Sequence, residues 1–298
     1  MTIADLPSPA ELSPLELARI VDMALGEDLA AGDVTTRAVV PHDAIARGEF
    51  VTREAMVLAG VAVAALVFAR VDPRVRFEPL CPDGSFCEPR TVVARVEGPA
   101  HGVLTGERVA LNLLQRMCGI ATRTRAFVQA VPVDTSTRIA DTRKTTPGLR
   151  ALERYAVRLG GGVNHRNDLS AGVLIKDNHI AVCGGVRNAI ERARRHAPHT
   201  LHIECEVASL AQLDEALAAR ADVIMLDNFD DAMVARAIDR IARCAPRPLV
   251  EVSGGITLER IPHLARLGVD VISVGSLTHG ARAMDIGLDV RVDGAWTT

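Results

Sequence analysis

From about residue 138 onward, short apolar runs alternate with longer amphipathic stretches, and each apolar run ends on a polar cluster. Arg138–Asp141, Val173–Lys176, Leu201–Val207, Val223–Asp227, Leu249–Ser253 and Val271–Gly275 read as strands. Val186–His196, Ser209–Ala219, Asp231–Cys244 and Thr257–Leu267 carry helical spacing between them. This alternation predicts parallel strands joined by helical crossovers. The N-terminal part follows a different pattern. Ser13-Pro14-Leu15-Glu16 has an N-cap serine, a proline at N1 and a glutamate at N3, and opens a helix running through Leu17, Ile20, Val21 and Leu25. A turn-rich stretch, Gly26–Asp33, follows. Glu49–Leu58 and Thr91–Glu97 read as strands and Gly60–Val71 as a buried helix. A second helix covers Thr105–Val131, with Leu111, Leu114, Met117 and Ile120 on its apolar side.

The polar clusters point to a site. Asp141-Thr142-Arg143-Lys144, Lys176-Asp177-Asn178, Glu206, Asp227-Asn228, Ser253-Gly254-Gly255 and Gly275-Ser276 all follow apolar runs. Glu206 to Asp227 is 21 residues, Asp227 to Ser253 is 26, and Ser253 to Gly275 is 22, each one strand–helix unit. In an α/β barrel the carboxyl ends of all strands converge on the face that carries the active site. The alternative is an open doubly wound sheet. It would show a glycine-rich loop after its first strand, and Arg138–Thr146 has none.

Composition narrows the function. The 298 residues are 48% apolar and 24% charged, enough for a substantial core, yet only 3% are aromatic. Stacking on single-stranded nucleic acid is therefore excluded as a binding mode. A net charge of −3 leaves anion capture to local clusters. Met1–Pro14 has no basic and then apolar stretch, so no secretory leader is expected. Met56–Ala69 is too short to span a bilayer. The six cysteines form no CxxC pair and are expected to be reduced, in a cytoplasmic protein. Lys and Arg total 34, but only Lys144 and Lys176 are lysines. In so arginine-rich a chain, a retained lysine points to a task needing a compact ammonium.

At the converging strand ends, Arg143, Lys144, His165, Arg166 and Lys176 supply positive donors, and Glu206 and Asp227 supply carboxylates. That many cations at one place call for a multiply charged anion, unless neighbouring acids neutralise them, as Asp141 could do for Arg143. Ser253-Gly254-Gly255 and Gly275-Ser276 would let backbone N–H groups approach a phosphate. Glu206 and Asp227 could hold a divalent ion or sugar hydroxyls; Mg²⁺ on substrate phosphates needs only one or two protein carboxylates. Gly160-Gly161-Gly162 reads as a hinge, a close approach or a plain turn.

The motifs DTRKTTPGLR, YAVRLGGGVNHR, LIKDNHI, ECEV, IMLDNF, EVSGGI and SVGSLTHG, in this order, resemble the type II phosphoribosyltransferases and most closely the quinolinate phosphoribosyltransferase family. GEDLAAGDVTT, GERVALNLLQRMCGIAT and MDIGLDV also fit, so the resemblance spans nearly the whole chain. It implies an incomplete α/β barrel with an N-terminal α/β sandwich domain, here residues 1–118 joined by 282–298, against 119–281 for the barrel. It implies a homodimer with shared active sites. By resemblance, Arg108, Arg143, His165, Arg166 and Lys176 would hold the two carboxylates of quinolinate. Lys144, Glu206 and Asp227 would engage the ribose, pyrophosphate and Mg²⁺ of phosphoribosyl pyrophosphate. Ser253, Gly254, Gly255 and Gly275 would hold its 5′-phosphate, with Ser276 and His279 nearby. The chain departs from the pattern at Asn167-Asp168 and at Gly280. The implied activity is that of a decarboxylating pentosyltransferase of NAD biosynthesis.

Three other readings compete. A related transferase would act on nicotinate or belong with molybdate transport, but the number of cations favours a di-acid. A Schiff-base aldolase would use Lys176 at its strand end. A non-catalytic ligand-binding homologue would not need the pair Glu206 and Asp227.

Overall fold

The computed structural model describes residues 12–292. In chain order the elements begin with α1 (Pro14–Asp28), α2 (Val34–Val39), β1 (Ile45–Thr52), β2 (Met56–Val57), α3 (Val61–Val71), β3 (Arg76–Pro79), β4 (Phe86–Cys87), β5 (Val92–Pro99) and α4 (Ala100–Gln129). They continue with β6 (Arg138–Ala140), α5 (Arg150–Leu159), β7 (Val173–Ile175), α6 (Asp177–Cys183), α7 (Val186–His196), β8 (Ile203–Val207), α8 (Leu210–Ala218) and β9 (Val223–Asp227). The last are α9 (Asp231–Ile241), β10 (Leu249–Ser253), α10 (Ile261–Arg266), β11 (Val271–Ser273) and β12 (Ile286–Val292). Two compact units emerge. Met1–Arg125, Thr145–Gly161 and Leu277–Thr298 form the first; Ala126–Lys144 and Gly162–Ser276 form the second. The cut expected after residue 118 falls inside α4, a helix of 30 residues. The leader reading of Met1–Pro14 and the ends of the expected segments 1–118 and 282–298 fall largely or partly outside the described residues.

In the first unit, α1 starts as the sequence predicts: Ser13 accepts the Glu16 N–H at 3.5 Å, and Ile20, Val21 and Leu25 are buried. The single strand expected over Glu49–Leu58 is two, β1 and β2, separated by residues 53–55. β12, β1, β5 and β3 form an antiparallel sheet in that order, and β2 pairs with β4. With few aromatics available, three phenylalanines are concentrated where α3 meets this sheet: Phe50, Phe68 and Phe77 have centroids 5.6–5.9 Å apart. The N-terminus of α3 has no cap of its own. Asp83 supplies one, accepting from Gly60 N and Val61 N at 2.9 and 3.0 Å and from the Tyr155 hydroxyl at 3.0 Å. Gly160, the residue ending α5, is a point of close approach: a Cβ there would lie 2.5 Å from Thr124 Cβ on α4.

The second unit holds six strands, all parallel, in the order β6-β11-β10-β9-β8-β7. From β7 to β11 neighbours in sequence are neighbours in space, and the first strand, β6, pairs with the last, β11. This is the cyclic order of an α/β barrel left open between β6 and β7. The register puts Leu174, Glu204, Glu206, Met225, Asp227, Glu251, Ser253 and Ser273 on one face. That face is the interior, because a single side chain, His165, reaches β8 and β10 across β9.

Candidate active site

The strand ends place the second unit's expected site residues together. Lys176 follows β7, and its Nζ lies 2.5 Å from Glu206 Oε2 at the end of β8. Asp227 ends β9, and its Oδ2 accepts from Asn228 Nδ2 at 2.6 Å. Asn228 has φ 57°, and its N–H donates to Ser253 O at 2.9 Å, which ties the β9 and β10 loops together. Gly254 has φ 86°, and a Cβ there would sit 2.2 Å from Asn228 Oδ1, so only glycine fits. Beside it, Asn228, Asp230, Gly254, Gly255 and Arg260 line a cleft of 410 Å³. Arg260 braces it, donating to Phe229 O at 3.0 Å and Asp231 Oδ1 at 2.7 Å. Gly275 and Ser276 enter a short 3₁₀ turn after β11.

The cations are arranged around β6 and the 162–166 segment. Asp141, fully buried at the end of β6, accepts from His165 N at 2.7 Å through Oδ1 and from Asn164 Nδ2 at 2.6 Å through Oδ2. Arg166 donates to Gly172 O at 2.9 Å. Burial lowers the pKa of the Arg166 guanidinium, and the neighbouring Arg143 charge lowers it further. Two guanidiniums held this close favour a shared anion. Lys144 is exposed.

His165 is placed otherwise than a simple anion ligand. Its Nε2 faces Glu204 Oε2 at 3.2 Å and Glu251 Oε1 at 3.5 Å, and its Nδ1 accepts the Arg166 backbone N–H at 2.8 Å. Burial opposes charge on the ring, but hydrogen bonds from the two carboxylates outweigh it and raise its pKa. The N–H aimed at Nδ1 works against a second proton, so the hydrogen-bond pattern is that of the Nε2–H tautomer. Burial likewise pushes Glu204 above the usual carboxylate range; His165 opposes this and the Glu251 charge adds to it.

Arg108 and His279 belong to the first unit, where both are exposed, Arg108 on α4. Glu204, Glu251, Ser273 and Asp141 were not among the residues expected from sequence. A signal for the two glutamates was present: each interrupts an apolar strand two residues before a strand-end polar group, Glu206 or Ser253.

Comparison with known proteins decides the family. The quinolinate phosphoribosyl transferase C-terminal domain matches residues 120–289, and the N-terminal domain of the same family matches residues 33–118. This chain belongs to the quinolinate phosphoribosyltransferase family. It is 47% identical over 272 residues to a nicotinate-nucleotide pyrophosphorylase (carboxylating) of Mycobacterium leprae, covering 90% of this chain and 94% of that one. It is 39% identical over 278 residues to the Homo sapiens enzyme of the same name, covering 93% and 92%. The crystal structure of NadC from Streptococcus pyogenes superposes with a TM-score of 0.89 at 41% identity, covering 95% and 99%. Family membership fits the open barrel and the separate antiparallel sheet. Among the described residues no helix is long and apolar enough to cross a membrane, and the six cysteines are free thiols.

Proposed function

We propose that this protein transfers the phosphoribosyl group of 5-phosphoribosyl 1-pyrophosphate to quinolinate with loss of CO₂. The products are nicotinate mononucleotide and pyrophosphate, and the reaction belongs to de novo NAD biosynthesis. The observation that carries the reading is the composition of one barrel face: Arg143, Arg166 and Lys176 stand beside Glu206 and Asp227, with the glycine loops of β10 and β11 next to them.

Arg143, Arg166 and Lys176, with Arg108, would take the two carboxylates of quinolinate, since guanidinium pairs such groups bidentately. His165 lies among them. Lys144 would meet the pyrophosphate, and Ser253, Gly254, Gly255, Gly275, Ser276 and His279 the 5′-phosphate. Glu206 and Asp227 fit Mg²⁺: they are oxygen donors on adjacent strands of one face, and a substrate-bound Mg²⁺ needs little more from the protein. Bound there, the ion would neutralise charge on the departing pyrophosphate. Glu206 would also face the positive charge that develops at ribose C1 as the pyridine nitrogen displaces pyrophosphate. The quaternised nitrogen then draws electrons from the adjacent carboxylate-bearing carbon as CO₂ leaves. The ion pair of Lys176 with Glu206 ties up the ammonium and disfavours the Schiff-base aldolase reading.

The protein would act as a homodimer with shared sites. Its free thiols fit a reducing compartment such as the cytoplasm. Incubation with quinolinate, phosphoribosyl pyrophosphate and Mg²⁺ tests the function by formation of nicotinate mononucleotide and CO₂. Turnover of nicotinate at an equal kcat/KM would overturn the choice of a di-acid substrate.

A further inference from the structure

We propose that His165 is a positioning residue. Held from beneath by Glu204 and Glu251, it fixes the backbone of Arg166, and the substrate contact is made by Arg166. This rests on the reading of the face as a quinolinate site and assigns Glu204, Glu251 and Ser273 a part in that site.

Both ring nitrogens of His165 are engaged within the protein, Nε2 toward the two carboxylates and Nδ1 toward the Arg166 N–H. The carboxylates stand inside the barrel, each two residues before a strand-end site residue, where barrels normally carry branched apolar side chains. Glu204 and Glu251 are 8% and 4% exposed. Paired buried acids are costly unless partners compensate them, yet Glu204 Oε1 is buried with no hydrogen-bond donor. Glu251 is oriented from the far side by the Ser273 hydroxyl, which donates to its Oε1. The chain of contacts runs Ser273, Glu251, His165, Arg166, and it crosses from β11 to β10 to the 162–166 segment.

The opposite side of that segment is clamped as firmly. Asp141 holds the His165 N–H and the Asn164 amide, and Val163 is bridged to Ala140 on β6. Residues 163–166 are thus tied to β6, β8 and β10, three strands with fixed spacing. A bidentate grip on a planar carboxylate tolerates displacements of only about 0.5 Å and 10–20°, which is the use such bracing serves. The same arrangement leaves the ring no nitrogen with which to bind quinolinate directly.

The test is a set of double-variant cycles read by calorimetric quinolinate binding and by the KM for each substrate. Glu251→Gln, Ser273→Ala and His165→Gln should each weaken quinolinate about ten- to hundredfold, the range for groups that orient a ligating side chain. The KM for phosphoribosyl pyrophosphate should stay within about twofold, and thermal melting should confirm a folded protein. His165→Asn, which keeps an acceptor near Nδ1, should recover part of the loss seen in His165→Ala. The deciding result is the background: in Arg166→Ala, adding His165→Gln or Ser273→Ala should cost nothing further, because the residue they position is gone. Fully additive losses would show that His165 touches the substrate itself and would overturn the proposal. So would unchanged quinolinate affinity in Ser273→Ala, the mildest variant and the safeguard should Glu251→Gln fail to fold. Wild-type protein that binds no quinolinate would refute the substrate reading instead.

Discussion

Lys176 and Glu206 project from the ends of adjacent strands and are joined by an ion pair, Nζ to Oε2 2.5 Å. The residues proposed for the acid substrate and for the ribose are therefore partners before any ligand arrives. Their side chains are 45% and 13% exposed, so the lysine end faces solvent while the glutamate is held. A carboxylate ligand can approach Lys176 from the open side without dismantling the pair. Position then matters more than charge alone. Lys176→Arg should lower kcat/KM about tenfold or more, since a charge-assisted hydrogen bond is worth about 1.5–3 kcal/mol and a planar guanidinium cannot occupy the ammonium's place. Steady-state kinetics beside a melting curve checks this. Near wild-type turnover would remove the special role given to one of the chain's two lysines, and Lys144→Arg tests the other in the same way.

Glu206→Gln and Asp227→Asn should behave differently. Their proposed partners are Mg²⁺, sugar hydroxyls and the charge arising at C1, so the loss belongs to the transition state. We expect kcat to fall about 10²–10³-fold, the scale for removing one preorganised electrostatic group. Quinolinate affinity should change far less. Calorimetric titration with quinolinate, set against single-turnover rates, separates the two effects. Lost affinity with kcat intact would contradict the assignment.

The first unit offers a stability prediction. Arg116 donates to the buried Glu153 at 2.9 Å and to the carbonyls of Thr278 and Ala281 at 2.7 and 2.8 Å, so one side chain ties α4, α5 and the 278–281 segment. Glu153 is 1% exposed at its side chain. Arg116→Met leaves that carboxylate buried and unpaired, and the cost should be about 3–5 kcal/mol. A denaturant titration should show a lower midpoint. Adding Glu153→Gln to the variant should restore part of the loss, because it removes the stranded charge.

A weaker pair predicts a small pH effect. Hydrogen bonds from the Arg282 side chain and the Asp285 N–H hold Glu54 down to about 2 from its ordinary 4.5. A depressed carboxylate contributes stability above its unfolded pKa, and that share fades as pH falls from 4.5 through 2. Arg282 is 67% exposed, so the contribution should stay below about 1 kcal/mol. Melting temperatures of the wild type and Glu54→Gln should differ slightly at pH 6 and converge toward pH 2. A constant gap across that range would count against the pairing.

The strand ends were legible in the sequence because each apolar run stops on a residue type with obvious chemistry. The parallel order followed from strand–helix alternation, and the helix Val186–His196 was read to its observed bounds. What escaped was structure whose signal is tertiary. α2 and α6 are too short for a helical period to show, and β3, β4 and β12 lie where local sequence offers no alternation. α5 was hidden because its residues were read as a motif; its burial of Glu153 is explained only by Arg116, 37 residues earlier. The bracing of His165 was invisible for a similar reason. A glutamate in an apolar strand looks like an exposed face until another segment is seen to reach it.

The last prediction concerns assembly. Arg108 is exposed on α4 in the first unit, away in sequence from the strand ends that form the proposed site. A dimer with shared sites would bring this arginine into the partner's pocket, and a two-fold axis would do so twice, once for each site. The plainer alternative is that Arg108 belongs to the surface and pairs with a neighbouring acid such as Glu107. Mixing two inactive variants separates the possibilities. Arg108→Ala and Lys176→Ala proteins are prepared apart, then allowed to exchange subunits. With shared sites, a mixed dimer has one site carrying both defects and one carrying neither. At full random exchange half the dimers are mixed, and each has one intact site, so activity should return to about a quarter of wild type, the statistical expectation for a two-fold dimer. Arg108→Ala that stays active by itself would place this arginine outside the site. A mixture that stays inactive after exchange has been demonstrated, by mass or by fluorescence transfer between labelled subunits, would show each site to be built from a single chain.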